Sequence, residues 1–171
     1  MCGAEVLDRS ALVQRALAVL DGVPDPEVPV ISVRELGIVR EVNLGDAGLE
    51  VVLTPTYSGC PATEVIAESV RQALEQAALG PVHVAHRLAP AWTTDWISAE
   101  GRRKLREYGI APPAHLQPGA AQPIRLHVPG VHCPRCSSAD TERLSAFGST
   151  ACKATYRCRS CREPFEHFKP I

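Results

Sequence analysis

Residues 49–88, LEVVLTPTYSGCPATEVIAESVRQALEQAALGPVHVAHRL, carry the pattern that decides the fold. Leu49, Val51 and Leu53 alternate along one face of a strand, Leu49 to Thr54. Pro55 to Pro61 forms a tight loop. Ala62, Val65, Ile66, Ser69, Val70, Ala73, Leu74 and Ala77 then mark one helical stripe, while Glu64, Glu68, Arg71 and Glu75 face water. Gly80 and Pro81 stop that helix. Val82, Val84, His86 and Leu88 alternate again as a strand, Val82 to Leu88. A strand–helix–strand step of this kind predicts a right-handed crossover with the two strands parallel.

Upstream, Leu12, Val13, Ala16, Leu17 and Leu20 fall at helical spacing over Asp8 to Leu20, and Asp21-Gly22 ends the helix. Pro24, Pro26 and Pro29 keep the next stretch extended or turned. Ser32 to Leu36 reads as one helical turn closed by Gly37, and Ile38 to Leu44 as a strand. Gly45-Asp46-Ala47-Gly48 is a hairpin turn into Leu49. Downstream, a helix is expected over Ser98 to Tyr108, with Gly109 in the C-terminal capping position. The fold class is therefore α/β, a small mixed sheet with packed helices, over residues 1–110. Five prolines (112, 113, 118, 123 and 129) and weak periodicity make 111–129 a linker. Residues 130–171 form a second module, a cysteine zinc ribbon.

The chain of 171 residues is 45% hydrophobic, enough for a core, and its 18 basic residues nearly cancel 19 acidic ones. A net charge of −1 gives no electrostatic case for nucleic acid or an anionic membrane. No apolar run approaches the roughly 18 residues that span a bilayer. Glu5 and Asp8 stand where a signal peptide needs an apolar core, so a cytoplasmic protein is expected.

Of seven cysteines, five lie between Cys133 and Cys161. Cys133-Pro-Arg-Cys136 and Cys158-Arg-Ser-Cys161 form two CxxC pairs with residues 137–157 between them, just outside the usual spacing. Each pair turns two thiolates inward from one knuckle, and two knuckles complete a tetrahedron suited to one Zn²⁺ per chain. Iron on the same four sulfurs is the alternative. The residues between fit two strands, Thr141 to Phe147 and Ala151 to Cys158, with Phe165 and Phe168 packing on a third. A segment this short needs such a staple to hold a core. Cys152 lies outside both knuckles and reads as a buried free thiol. His132 and His167 flank a site that four cysteines already fill.

Cys60 stands alone in Thr54-Pro-Thr-Tyr-Ser-Gly-Cys60-Pro61, between a strand end and a helix start. Orphan amides there are expected to favour a thiolate, with Pro61 at the first helical position. Asp25 and Glu27 read as a solvated turn, with Asp25 as a local cap. A phosphate loop, a Gly-x-Ser-x-Gly elbow and a His–Glu–x–x–His helix are all absent. Arg102, Arg103, Lys104 and Arg106 read as a solvated face or a patch for an acidic protein. At least one of Trp92 and Trp96 reads as core, with a partner-facing pair as the alternative.

Asp25-Pro-Glu-Val-Pro29, Glu35-Leu-Gly-Ile-Val39 and Thr54-Pro-Thr-Tyr-Ser-Gly-Cys-Pro-Ala62 resemble the family that includes bacterial SufT and the cytosolic iron–sulfur targeting factors of eukaryotes. Trp92-Thr-Thr-Asp-Trp-Ile-Ser98, Gly101-Arg-Arg-Lys-Leu-Arg-Glu-Tyr-Gly-Ile-Ala-Pro-Pro113 and Phe147-Gly-Ser-Thr-Ala-Cys-Lys153, with the ribbon, resemble the PaaD family of phenylacetate degradation. That resemblance implies an accessory protein encoded with the multicomponent oxygenase that makes the ring-1,2-epoxide of phenylacetyl-CoA. The oxygenase uses a di-iron site, and its reductase carries flavin and an iron–sulfur cluster. This chain lacks paired Glu-x-x-His motifs, a dinucleotide fingerprint and ferredoxin cysteine spacing, so it is neither. The resemblance implies a maturation protein rather than an enzyme, with the oxygenase and reductase as partners. It implies Cys60 as a transient ligand to iron or to an iron–sulfur cluster, with Asp25 and Glu27 as the family's acidic motif. One thiolate holds no cluster alone, so a homodimer, a docked partner or the client supplies the rest. A structural or regulatory subunit, and an electron carrier with iron in the ribbon, are the alternatives.

Overall fold

The computed structural model describes residues 2–113 and 130–170. Its elements are α1 (Cys2–Leu20), β1 (Val39–Gly45), β2 (Gly48–Leu53), α2 (Thr63–Gln76), β3 (Val82–His86), a 3-10 turn (Thr94–Trp96), α3 (Ala99–Tyr108), β4 (Ile110–Ala111), β5 (Thr141–Ser145), β6 (Lys153–Cys158) and β7 (Pro164–Phe168). The chain is mixed α/β, as expected. It divides into two compact units, Met1–Trp92 with Trp96–Gly101, and Thr93–Asp95 with Arg102–Ile171.

The first unit is built on a sheet of order β1-β2-β3. β1 and β2 pair antiparallel from Gly45↔Gly48 to Val39↔Leu53, and β2 and β3 pair parallel from Leu49↔Val82 to Leu53↔His86. The parallel pairing anticipated from residues 49–88 is therefore present. Gly48 takes φ +115, and a Cβ there would lie 2.3 Å from the Pro81 carbonyl oxygen, so only glycine fits beside the incoming β3. α1 and α2 pack on each other and against β1 and β3 respectively. Ile66, Val70 and Leu74 are buried, but Val65 is 54% exposed, so the apolar stripe of α2 is narrower than the sequence suggests. On the opposite side of the sheet, Glu41 and Ala85 flank Val52 in one cross-strand row. The Arg87–Glu41 ion pair reaches over that row from beyond β3, and Val52 is buried. That face of β2 is thus covered at Val52, while Glu50 on the same face stays exposed.

Ser32 and Glu35 form a reciprocal capping box. The Glu35 N–H donates to Ser32 Oγ at 3.1 Å, and the Ser32 N–H donates to Glu35 Oε2 at 2.9 Å. The segment stays a run of turns rather than a helix, and Gly37 leaves it at φ +77. Trp92 Nε1 donates to the Leu36 carbonyl at 3.1 Å, and the Ser98 N–H donates to the Glu35 carbonyl at 2.8 Å. A Cβ on Gly37 would sit 2.7 Å from Trp96 Cβ. Gly37→Ala is therefore expected to lower stability by about 2 kcal/mol or more, from positive φ plus overlap, read as a shift in the melting midpoint.

In the second unit the sheet order is β4-β7-β6-β5. β5–β6 and β6–β7 are antiparallel, and β4 joins β7 in parallel through Ile110↔Glu166 and Ala111↔His167. Ile110 and Ala111, on either side of the boundary expected at 110/111, therefore form one strand of the ribbon sheet. Of the expected linker, 114–129 lies outside the described residues. Lys153 is buried, and its Nζ lies 3.0 Å from Glu166 Oε2. Despite burial, the Ser149 N–H and the Lys153 ammonium hold the Glu166 carboxyl below its ordinary range. Glu166→Gln leaves that ammonium buried without its counter-charge. It is expected to cost about 3 kcal/mol, whereas Lys153→Met should cost less. Denaturant midpoints of the two variants check the ordering.

Candidate metal centre and the Cys60 loop

The ribbon cysteines converge as the two knuckles require. Sγ atoms of Cys133, Cys136, Cys158 and Cys161 all lie within 4.8 Å of one another. Cys133 and Cys161 are 3.7 Å apart, and Cys136 and Cys158 are 3.5 Å apart. Four sulfurs on one Zn²⁺ at 2.3 Å would be separated by about 3.8 Å, so the donors fit a tetrathiolate site. Cys133 and Cys158 are buried with Ala111 and Phe165, with Val131, Tyr156 and Cys161 packed around them. The Cys161 N–H donates to Cys158 Sγ at 3.5 Å and leads the effects that bring the Cys158 thiol down to about 6. Against the Glu163 N–H, burial and the neighbouring sulfurs push Cys161 up to about 12. Four sulfurs this close ionise together only around a cation, and a bound metal would supply structural cross-linking.

His132 is exposed, with Nδ1 3.2 Å from the Ser137 carbonyl. His167 is buried beside Tyr156, and burial brings it down to about 4. Cys152 is buried, with Sγ 3.0 Å from Thr150 Oγ1. None of the three belongs to the convergent group.

Cys60 is half-buried in the loop that follows β2. Its N–H donates to the Tyr57 carbonyl at 3.2 Å, and its carbonyl accepts from Thr63 Oγ1 at 2.8 Å. Thr63 is the first residue of α2, so Pro61 is not at the first helical position. The expected lowering of the thiol is also overturned. Burial pushes Cys60 up, the charges of Glu27 and Asp25 add to this, and the Ala62 N–H and Thr63 hydroxyl oppose it. The helix start reaches the thiol through Ala62 and Thr63, but burial and the two carboxylates outweigh it. Alkylation of Cys60 at neutral pH should accordingly be slower than that of an unperturbed thiol, and its rate should keep climbing above the usual thiol range near pH 8.5. Timed mass spectrometry across pH checks this.

Asp25 is buried, and its Oδ1 accepts from the N–H groups of Glu27 at 2.9 Å and Val28 at 2.8 Å, the local cap expected. Asp25 and Glu27 thus stand close enough to Cys60 to act on its thiol, yet the three do not converge as ligands. Trp92 is 3% exposed and belongs to the core, so it is not available as a partner surface. Trp96 is half-buried beneath Arg40, whose guanidinium carbon lies 3.4 Å from the ring centroid. Arg102 departs from the solvated face assigned to it and is 8% exposed. It donates to the carbonyls of Thr94 and Pro113, both at 2.6 Å. Arg103, one residue on, pairs with Glu107 in water as expected.

Residues 118–169 match the family described as the PaaD zinc beta ribbon domain, and residues 14–85 match the iron–sulfur cluster assembly protein family. A relative from Escherichia coli, named as one of the subunits of 1,2-phenylacetyl-CoA epoxidase, is 51% identical over 90% of this chain and 90% of its own. A relative from Porphyromonas gingivalis, named as an Fe-S protein maturation auxiliary factor, is 35% identical over 47% of this chain and 78% of its own. A crystal structure of a domain of unknown function from Bacillus anthracis covers 58% of this chain and 96% of that one, with TM-score 0.55 and 23% identity, and shares the fold. With an assembly-family domain and this ribbon in one chain, and such identity along nearly its whole length, the protein belongs to the PaaD family.

Proposed function

We propose that this chain is an accessory maturation protein of a multicomponent phenylacetyl-CoA 1,2-epoxidase, assisting iron–sulfur or di-iron assembly in the reductase or oxygenase. The observation that carries the reading is a half-exposed thiol, Cys60, on a loop beside two carboxylates, within the segment that matches an iron–sulfur assembly family. Cys60 acts as a transient ligand to iron or cluster, with Asp25 and Glu27 as the acidic groups beside it. Because these three do not form a closed chelate, the client or a second copy completes the coordination. The ribbon holds one Zn²⁺ through Cys133, Cys136, Cys158 and Cys161 and is structural. The assembly-type domain and the ribbon act as separate modules, with Ile110 and Ala111 on the ribbon side as the strand that pairs with β7, and limited proteolysis within 114–122 would show whether that strand keeps the two pieces together.

Producing the oxygenase and reductase with and without this chain, and measuring their iron, sulfide and turnover, tests the reading. Equal metal content in both preparations would reject it. The name of the Escherichia coli relative favours a second reading, a non-catalytic subunit of the epoxidase. In that case turnover falls without the chain while client metal stays constant.

A further inference from the structure

Arg102 is nine-tenths buried, and its Nε has no hydrogen-bond acceptor. Burial pushes the guanidinium below its ordinary value, and only Asp95 opposes this by charge. A methionine would fill comparable space without that penalty. The two Nη groups account for the charge by holding carbonyls from two separate segments, Thr94 and Pro113. Pro113 lies two residues after Ala111, which is packed with Cys133, Cys158 and Phe165. Ala111 is also half of β4, the strand that covers the free edge of β7. A continuous path therefore runs from the guanidinium, through the Pro113 carbonyl and β4, to the wall behind two metal-ligating sulfurs.

We propose that Arg102 is a positioning residue of the metal ribbon, clamping β4 so that Ala111 closes the wall behind Cys133 and Cys158 and slows loss of the metal. This rests on the zinc reading above. The ribbon's working unit accordingly begins upstream of the matched segment, at Arg102 and β4, with Thr93–Asp95 as the second anchor.

The test uses full-length protein loaded with zinc, Arg102→Met and Arg102→Lys variants, and release to excess pyridylazoresorcinol well below the melting temperature. Release should be about tenfold faster for Arg102→Met, the scale of one lost charged hydrogen bond, and intermediate for Arg102→Lys. Amide exchange of Ile110 and Ala111 should rise in the same order. In the wild type, zinc removal should deprotect these two amides together with β6 and β7, a measurement that needs no variant to fold. A purely structural role lowers the melting point and leaves release below it unchanged. Wild-type release rates in both variants, or Ile110 and Ala111 protection indifferent to zinc, would overturn the proposal. A wild type that binds no metal would instead reject the zinc reading.

Discussion

Cells carrying Cys60→Ser in place of the native chain are expected to make epoxidase components short of iron, with phenylacetyl-CoA turnover down by about tenfold or more. Protein abundance and melting should change little. The hydrogen bonds that shape the loop use the Cys60 backbone N–H and carbonyl, which serine keeps. The side chain is half-exposed, so a cost of about 1 kcal/mol is the appropriate scale. Serine removes the soft sulfur donor while retaining size, so the experiment separates ligation from shape. Asp25→Ala offers a contrast: it removes charge near the thiol and also the oxygen that caps the turn through the Glu27 and Val28 N–H groups, so melting should fall with it. Normal client iron and normal turnover in Cys60→Ser would remove this residue from the mechanism.

The ribbon should respond to Cys158→Ser in the opposite way, with stability rather than turnover as the first loss. Cys158 is 0% exposed and belongs to the small core it helps to ligate. Metal content should fall from about one ion per chain to near zero, removing a binding free energy of about 10–16 kcal/mol that also holds the fold together. Amides of β5, β6 and β7 should then exchange freely while β1, β2 and β3 remain protected. Elemental analysis and exchange mass spectrometry read both halves, and the absorbance of the native protein separates colourless zinc from coloured iron. Full occupancy in the variant would reject the ligand set.

Periodicity sufficed for the elements that bury a stripe or an alternating face. α2, the β1–β2 hairpin and the parallel β2–β3 step all follow from patterns visible in residues 38–88. The knuckle spacing likewise anticipated the four converging sulfurs. What escaped was set by tertiary partners. Arg102 sits in a basic run in which Arg103 and Arg106 are exposed, and nothing local marks it as the one that turns inward onto two carbonyls. Lys153 and Glu166 come together only because β6 and β7 pair. Which of Trp92 and Trp96 enters the core is settled by the Leu36 carbonyl, a distant acceptor for the Trp92 indole that no local pattern marks. At Cys60, burial and the charges of Glu27 and Asp25, thirty-odd residues upstream, outweigh the amide and hydroxyl at the helix start, and neither is visible in the loop's own sequence.

The order of the three strands bears on when the Cys60 loop comes into being. β1 and β2 meet across a tight turn at Asp46 and Ala47, a contact that forms in microseconds in isolated hairpins. β2 and β3 meet only after the whole of Thr54 to Pro81 has been synthesised, coiled into α2 and looped back, a non-local closure of the kind that slows folding. The loop bearing Cys60 is the first segment of that closure, and it is pinned only when both of its ends are. A ribosome-bound chain that has emerged only as far as α2 therefore exposes the thiol on an untethered strand end. Its presentation beside Asp25 and Glu27 depends on that closure, so a substitution that blocks the β2–β3 pairing is expected to leave the thiol unplaced.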